Sequence, residues 1–249
     1  MTDEGEGLNM AKIIAEGHRG YCARYPENTL VSYRAAMEAG VDAFEFDVWL
    51  SKDGVPVIMH DGNAYRTCGV DRHLNDMTLE EIKALDAGSK FDERFEGERV
   101  PTLEELLAQA RDMRPDIMLG VEIKDMREEA CDKAAALLKR YGFFDTCIFY
   151  AFNARIIKYL KTAHAARTMG YPDFQMAEFG PDSYSYYDEI GIGMQIMRSE
   201  VFPIYRDKGM KMHIYCADTE EDVRDAVAHG ASLITANEIG PLLKVLKGK

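Results

Sequence analysis

Two histidines stand beside charged partners at the ends of short apolar runs, His18 followed by Arg19 and His60 by Asp61. Imidazole alone among side chains has an unperturbed pKa near neutrality, so the two are candidates for a general acid and a general base. Which takes which role stays open. Each lies close to a turn glycine, Gly20 or Gly62, whereas His73, His164, His213 and His229 read as ordinary core or surface histidines. Between the pair lies Glu45-Phe46-Asp47, and later comes Glu122-Ile123-Lys124. Strand side chains repeat every two residues, so Glu45 and Asp47 share one face, as do Glu122 and Lys124.

Carboxylates on a strand otherwise made of Ala43, Phe46, Val48 and Trp49 face a buried environment, where an unpaired charge is strongly unfavourable. Something positive must meet them. A hard divalent cation, Mg²⁺ or Ca²⁺, held by Glu45, Asp47 and Glu122 would satisfy that demand and leave positions for water and a phosphate oxygen. The plainer alternative is a structural ion network with Arg19, Lys124 and Lys52. Arg19 and Lys124 would in either case supply cationic charge where an oxyanion such as a phosphodiester gains charge during attack. The set points to metal-assisted phosphodiester chemistry.

These residues need a scaffold that gathers them. Short apolar runs alternate with longer amphipathic ones, the pattern of β/α units around a parallel sheet. Eight strands are expected at residues 13–16, 43–50, 118–123, 147–152, 166–170, 194–197, 212–216 and 232–235. Helices are expected to begin near Thr29, Thr102, Glu128, Ala154, Ser183, Glu200, Thr219 and Gly240. Gly40, Gly142 and Gly230 provide stops, and Asp218-Thr219-Glu220-Glu221 supplies a possible N-cap and acidic first-turn residues. Eight such units predict one (β/α)₈ TIM barrel over residues 1–249, with catalytic groups at the C-terminal ends of its strands. The stretch 62–98 is too long for an ordinary βα loop and reads as a small insertion after the second strand region, with a short helix at 79–85. A second irregular region, 171–192, carries Tyr184, Tyr186 and Tyr187 and is expected to share in the wall of the site.

Composition narrows the partners. With 249 residues, 47% of them hydrophobic, the chain can bury one large core. The net charge of -13 disfavours nucleic acid and anionic lipid surfaces. No run of about 20 apolar residues is present to insert stably into a membrane, and the acidic stretch 1–10 is unlike a signal peptide, so a cytoplasmic location is expected. Cys22, Cys68, Cys131, Cys147 and Cys216 are scattered and odd in number, and read as reduced thiols. The oligomeric state is not legible.

In order and spacing, His18-Arg19-Gly20, Pro26-Glu27-Asn28-Thr29, Glu45-x-Asp47, His60-Asp61 and Glu122-x-Lys124 resemble the glycerophosphodiester phosphodiesterase family, over most of the chain. The resemblance implies hydrolysis of a small-molecule glycerophosphodiester to sn-glycerol 3-phosphate and an alcohol. It maps the family's catalytic histidines onto His18 and His60, and it makes Glu27 and Asn28 braces of the site. Asp61 would either orient a catalytic imidazole or start a turn. The resemblance also implies that the insertion overhangs the rim and helps select the alcohol. Tyr215-Cys216-Ala217-Asp218 stands where members commonly carry Trp-Thr-x-Asn, so Tyr215 would face the substrate alcohol; the segment from Thr235 to Pro241 also departs from the pattern. Two other readings remain: a lysophospholipase-D-like phosphodiesterase on the same barrel, and a barrel that binds phosphodiesters without turning them over.

Overall fold

The computed structural model describes residues 12–248, so the acidic stretch 1–10 lies outside the described residues. Its strands are β1 (Ile14–Gly17), β2 (Ala43–Leu50), β3 (Pro56–Ile58), β4 (Met118–Ile123), β5 (Cys147–Tyr150), β6 (Thr168–Gly170), β7 (Glu189–Gly193), β8 (Lys211–Tyr215) and β9 (Leu233–Ala236). All but β3 run parallel in the order β1-β9-β8-β7-β6-β5-β4-β2, and β1 also pairs with β2. That last pairing closes the TIM barrel. β3 is an antiparallel partner of β2 outside the ring, in register Val48 with Ile58.

Local chemistry accounts for the helices between strands. Thr29 caps Leu30–Ala39, which ends on Gly40 at φ 90°, a left-handed conformation that glycine adopts without steric penalty. Thr102 with Glu105 and Thr219 with Asp222 form reciprocal capping boxes at Leu103–Met113 and Glu220–Ala228. The second of these caps falls within the stretch Asp218-Thr219-Glu220-Glu221 where one was expected. Strand residues alternate between the two sides of the wall: Phe44, Phe46, Val48, Leu119, Val121 and Ile123 join the core under the helices, each large side chain contributing about 1.5–3 kcal/mol by burial.

Two expected elements are displaced. Residues 194–197 begin a short helix, Met194–Met197, and the strand there is Glu189–Gly193. Between β6 and β7 the chain forms only 3₁₀ turns, Asp173–Gln175 and Ser183–Tyr186, where a helix from Ser183 was expected. The insertion carries a second apolar cluster in which Leu74, Met77, Ile82 and Leu85 pack with Val57 and Met59 beside β3. Its helix is Leu79–Lys83, opened by a capping box of Thr78 and Glu81.

Candidate active site

β2 and β4 set the centre. In their register Asp47 lies beside Glu122 and Glu45 beside Gly120, so the carboxylates of Glu45, Asp47 and Glu122 converge in the barrel. One oxygen from each lies within 4.8 Å of the others, and all three residues are buried. Lys124 Nζ approaches Glu122 at 2.6 Å and Asp47 at 3.3 Å, and Arg19 Nε approaches Asp47 at 3.5 Å. Lys124 pairs with Glu122 Oε1 and Asp47 Oδ1, while Glu45 Oε1 has no hydrogen-bond partner. The structural ion network thus exists in part. Lys52 takes no part in it; its residue is exposed, and its amide donates to Met77 at 2.7 Å.

The charge balance shows what is missing. Burial drives Glu45 well above the usual carboxylate range, and the Asp47 charge adds to the effect. Glu122 is raised by burial, although Lys124 opposes the shift. Asp47 goes down: burial would raise it, but Lys124 and Arg19 outweigh that cost. Burial alone would lower Lys124, yet Asp47 and Glu122 carry it up to about 12. Two cations facing three carboxylates leave an excess of negative charge in low dielectric, and Glu45 Oε1 remains unpartnered. That donor set fits a divalent cation of the Mg²⁺ or Ca²⁺ type.

The turn after β1 places the next two groups. Arg19 adopts φ 52° and Asn28 φ 58°, both left-handed, a conformation that costs a non-glycine residue about 1–2 kcal/mol. Bonds hold the turn. The Arg19 amide donates to Glu45 at 3.1 Å, while the Arg19 carbonyl accepts from the Asn28 amide at 3.2 Å and the Ser32 hydroxyl at 3.0 Å. Gly20 packs against Ser32, where a Cβ would meet its carbonyl carbon at 2.7 Å. Asn28 Nδ2 donates to Asp47 at 2.8 Å, and Asn28 Oδ1 accepts from the Tyr33 hydroxyl at 2.6 Å. Asn28 therefore braces the acidic cluster, and Thr29 does the capping.

His18 and His60 flank the cluster in different surroundings. His18 Nε2 lies 3.9 Å from Glu45, and its Nδ1 lies 2.7 Å from Asn237 Oδ1. Burial alone would depress His18, but the thiols of Cys216 and Cys22 and the Glu45 carboxylate carry it well above its ordinary value. His60 Nδ1 lies 2.7 Å from Asp61. Burial lowers His60, and Lys124 and Arg19 add to this against the pull of Asp47. Asp61 binds the Arg66 guanidinium, whose other nitrogens reach Glu27 at 2.7 and 2.6 Å, and Glu27 also accepts from Arg19 at 2.9 Å. A continuous polar chain thus runs from His60 to Arg19.

Sequence reasoning did not find Asn237, Asp218 or Arg66. Asn237 is held by Asp218, which accepts from its side chain at 2.7 Å and its amide at 2.6 Å. Both lie in the segments that depart from the family pattern, which was the available signal. Arg66 carried none, as a lone arginine inside a polar insertion.

A cavity of about 250 Å³ opens over these groups, bounded at its mouth by His18, His60, Lys124, Phe152 and Tyr215. Phe152 stacks on Tyr171 at 3.7 Å between ring centroids, and Tyr215 meets Tyr171 edge-on at 5.7 Å. Tyr184, Tyr186 and Tyr187 do not line this cavity, contrary to expectation; Tyr187 fills the notch left by Gly170. No residue of 62–98 lines it either; the insertion meets the site's polar groups through Arg66, and Thr67 and Ala87 share a small pocket with His60, Glu27 and Asn28. Among the described residues no helix is long and apolar enough to cross a membrane, and all five cysteines are free.

Fold and site together define a TIM barrel that carries, at the C-terminal ends of its strands, an acidic cluster able to hold a metal ion, flanked by histidine, arginine and lysine. The chain belongs to the glycerophosphoryl diester phosphodiesterase family, whose family model matches residues 18–240. A glycerophosphodiester phosphodiesterase of Caldanaerobacter subterraneus is 41% identical over 145 residues, which are 57% of this chain and 59% of that relative. A glycerophosphodiester phosphodiesterase structure from Agrobacterium tumefaciens superposes with TM-score 0.78 at 26% identity, covering 92% of this chain and 98% of the other. A phosphodiesterase of Oleispira antarctica, solved in complex with the product sn-glycerol-3-phosphate, shares the fold with TM-score 0.82 at 23% identity, covering 95% and 97%.

Proposed function

We propose that the protein hydrolyses a glycerophosphodiester to sn-glycerol 3-phosphate and an alcohol, with His18 and His60 as acid and base. One observation carries the reading: three buried carboxylates within 4.8 Å, two of them held by Lys124 and the third with an unpartnered oxygen, lie between two histidines that are themselves oriented by Asn237 and Asp61. Glu45, Asp47 and Glu122 would hold a divalent cation, which when bound supplies charge to offset the phosphate and to acidify a neighbouring hydroxyl.

The chain's own groups do the rest. Arg19 and Lys124 attract the phosphate and gain strength as charge grows on its equatorial oxygens, which favours the transition state over the ground state. One histidine takes a proton from the attacking oxygen; the other gives a proton to the alcohol oxygen as its bond to phosphorus breaks. The attacking oxygen belongs either to the glycerol hydroxyl next to the ester, giving a cyclic phosphate that water then opens, or to water directly. Tyr215 and the stacked pair Phe152 and Tyr171 form the apolar side of the mouth, where the alcohol would leave.

Glycerophosphocholine assayed beside lysophosphatidylcholine, with Mg²⁺ or Ca²⁺ added after chelation, tests the reading. Release of glycerol 3-phosphate from the first is expected. Preference for the second would move the assignment to a lysophospholipase D, and no turnover of either, with binding retained, would make this a binding barrel. A cyclic product accumulating in His18→Ala or His60→Ala would select the first route of attack.

A further inference from the structure

Below the acidic cluster the cavity ends in a polar floor that the reaction above does not use. Its residues are Tyr150 of β5, His213 of β8 and Thr235 of β9, all nearly closed to solvent, with the apolar Met169 beside them. Glu16 of β1 lines the floor with them, fully buried in a barrel interior where an apolar side chain would cost nothing. Glu16 accepts from the Thr235 hydroxyl at 2.6 Å and from the Tyr150 hydroxyl at 3.1 Å. Gly120 makes the room: a Cβ there would come within 2.7 Å of Glu16 Oε1 and 2.9 Å of the Tyr150 hydroxyl.

These bonds set the polarity of the floor. Each hydroxyl spends its one hydrogen on Glu16 and turns its remaining lone pairs elsewhere. Beside them His213 engages the Glu189 carboxylate through Nε2. His213 Nδ1 is buried and has no partner. The floor therefore gathers two hydroxyl acceptors beside an unpartnered imidazole nitrogen, a match for a ligand O–H, which can both donate and accept.

Position narrows the ligand. Gly120 lies one two-residue step below Glu122 on β4, about 6.6 Å, which is within the span of a three-carbon polyol phosphate. A closed end suits a substrate part of fixed length, whereas the part that varies needs the open mouth at Phe152 and Tyr215. We propose that the cavity floor is a binding subsite for the terminal hydroxyl of the glycerol moiety, with Tyr150 and Thr235 as acceptors, His213 Nδ1 beside them, and Glu16 as the positioning residue that fixes the two hydroxyls. This rests on the glycerophosphodiester reading above and adds how glycerol is told from a shorter or less hydroxylated diol.

The test compares kcat/KM for glycerophosphocholine and for its analogue with the terminal hydroxyl replaced by hydrogen. Leaving buried acceptors unpartnered should make the wild-type enzyme prefer the hydroxylated substrate by about 10- to 100-fold. In Thr235→Val and Glu16→Gln that ratio should fall toward one, because the first deletes an acceptor and the second turns an amide donor onto one hydroxyl. A merely structural lesion would lower both substrates together and keep the wild-type ratio, which would overturn the proposal; Tyr150→Phe provides the same measurement if Glu16→Gln does not fold. A wild-type ratio near one, with both substrates turned over, would overturn the subsite alone. Turnover of bis(p-nitrophenyl) phosphate by the wild type with none of either glycerol diester would overturn the reaction assigned above and the subsite with it.

Discussion

His18 Nδ1 and Asn237 Oδ1 lie 2.7 Å apart, and Asn237 is itself held through two bonds to Asp218. An amide oxygen aligned on Nδ1 fixes that nitrogen as the N–H donor and leaves Nε2, on the Glu45 side, to exchange a proton. Asn237→Ala should therefore lower kcat by about 10- to 100-fold, the usual effect of losing an orienting partner, with little change in KM. Steady-state kinetics checks it. An equal rise in KM would instead mean that Asn237 acts in binding.

Each carboxylate of the cluster should matter twice, once for the cation and once for stability without it. Glu45→Gln, Asp47→Asn and Glu122→Gln are each expected to weaken Mg²⁺ or Ca²⁺ binding about tenfold or more, since each removes one anionic ligand of three. Titration calorimetry reads this directly. Unchanged affinity in all three would remove the metal assignment.

The pH dependence of the chelated protein follows from Glu45. Its folded-state pKa is raised by burial and by Asp47, so above the ordinary glutamate range the folded state holds a proton that the unfolded state has released. Stability from that group is full below the unfolded pKa and is lost as pH rises toward the folded one. Glu45→Gln removes the ionisation. In EDTA, the Tm of Glu45→Gln minus that of the wild type should accordingly grow from about pH 5 to about pH 8, and added cation should reverse the order by stabilising the wild type. A difference that does not change with pH would contradict it.

The centre of the site was legible because strand period is local. Glu45 and Asp47 two apart, and Glu122 and Lys124 two apart, share a face whatever the rest of the chain does. β7 was missed for a physical reason: Glu-Ile-Gly-Ile-Gly lacks large side chains on its inward face because Gly191 leaves room for Tyr171 and Gly193 lies against Tyr215. The neighbouring Met194-Gln195-Ile196-Met197 reads more apolar, yet it starts a helix. Asn237, Asp218 and Arg66 depend on loops meeting across the barrel mouth, which no local period encodes.

Loss of either histidine should be severe and specific. His18→Ala and His60→Ala are each expected to reduce kcat by about 10²- to 10⁴-fold, the range for a positioned acid or base, with the fold and cation affinity retained. If the double variant is no worse than the poorer single one, the two act as a unit. Near wild-type turnover in either would exclude that residue.

Arg66 offers a way to separate the insertion's contact with the site from its bulk. It is the one residue of 62–98 seen bridging Asp61, the partner of His60, to Glu27, the partner of Arg19. Half-exposed ion pairs add little to stability, about 0–1 kcal/mol, so Arg66→Met should leave Tm nearly unchanged. Its effect should fall on orientation instead: freeing Asp61 and Glu27 together loosens both ends of the polar chain and should lower kcat about tenfold or more. Replacing 62–98 by a short Gly/Ser connection removes Arg66 along with the rest of the insertion. If Arg66 is the insertion's working contact, the shortened, folded protein should lose kcat to the same extent as Arg66→Met for both glycerophosphocholine and bis(p-nitrophenyl) phosphate. A much larger loss confined to glycerophosphocholine would show that the insertion grips the alcohol through residues that do not line the cavity in this conformation.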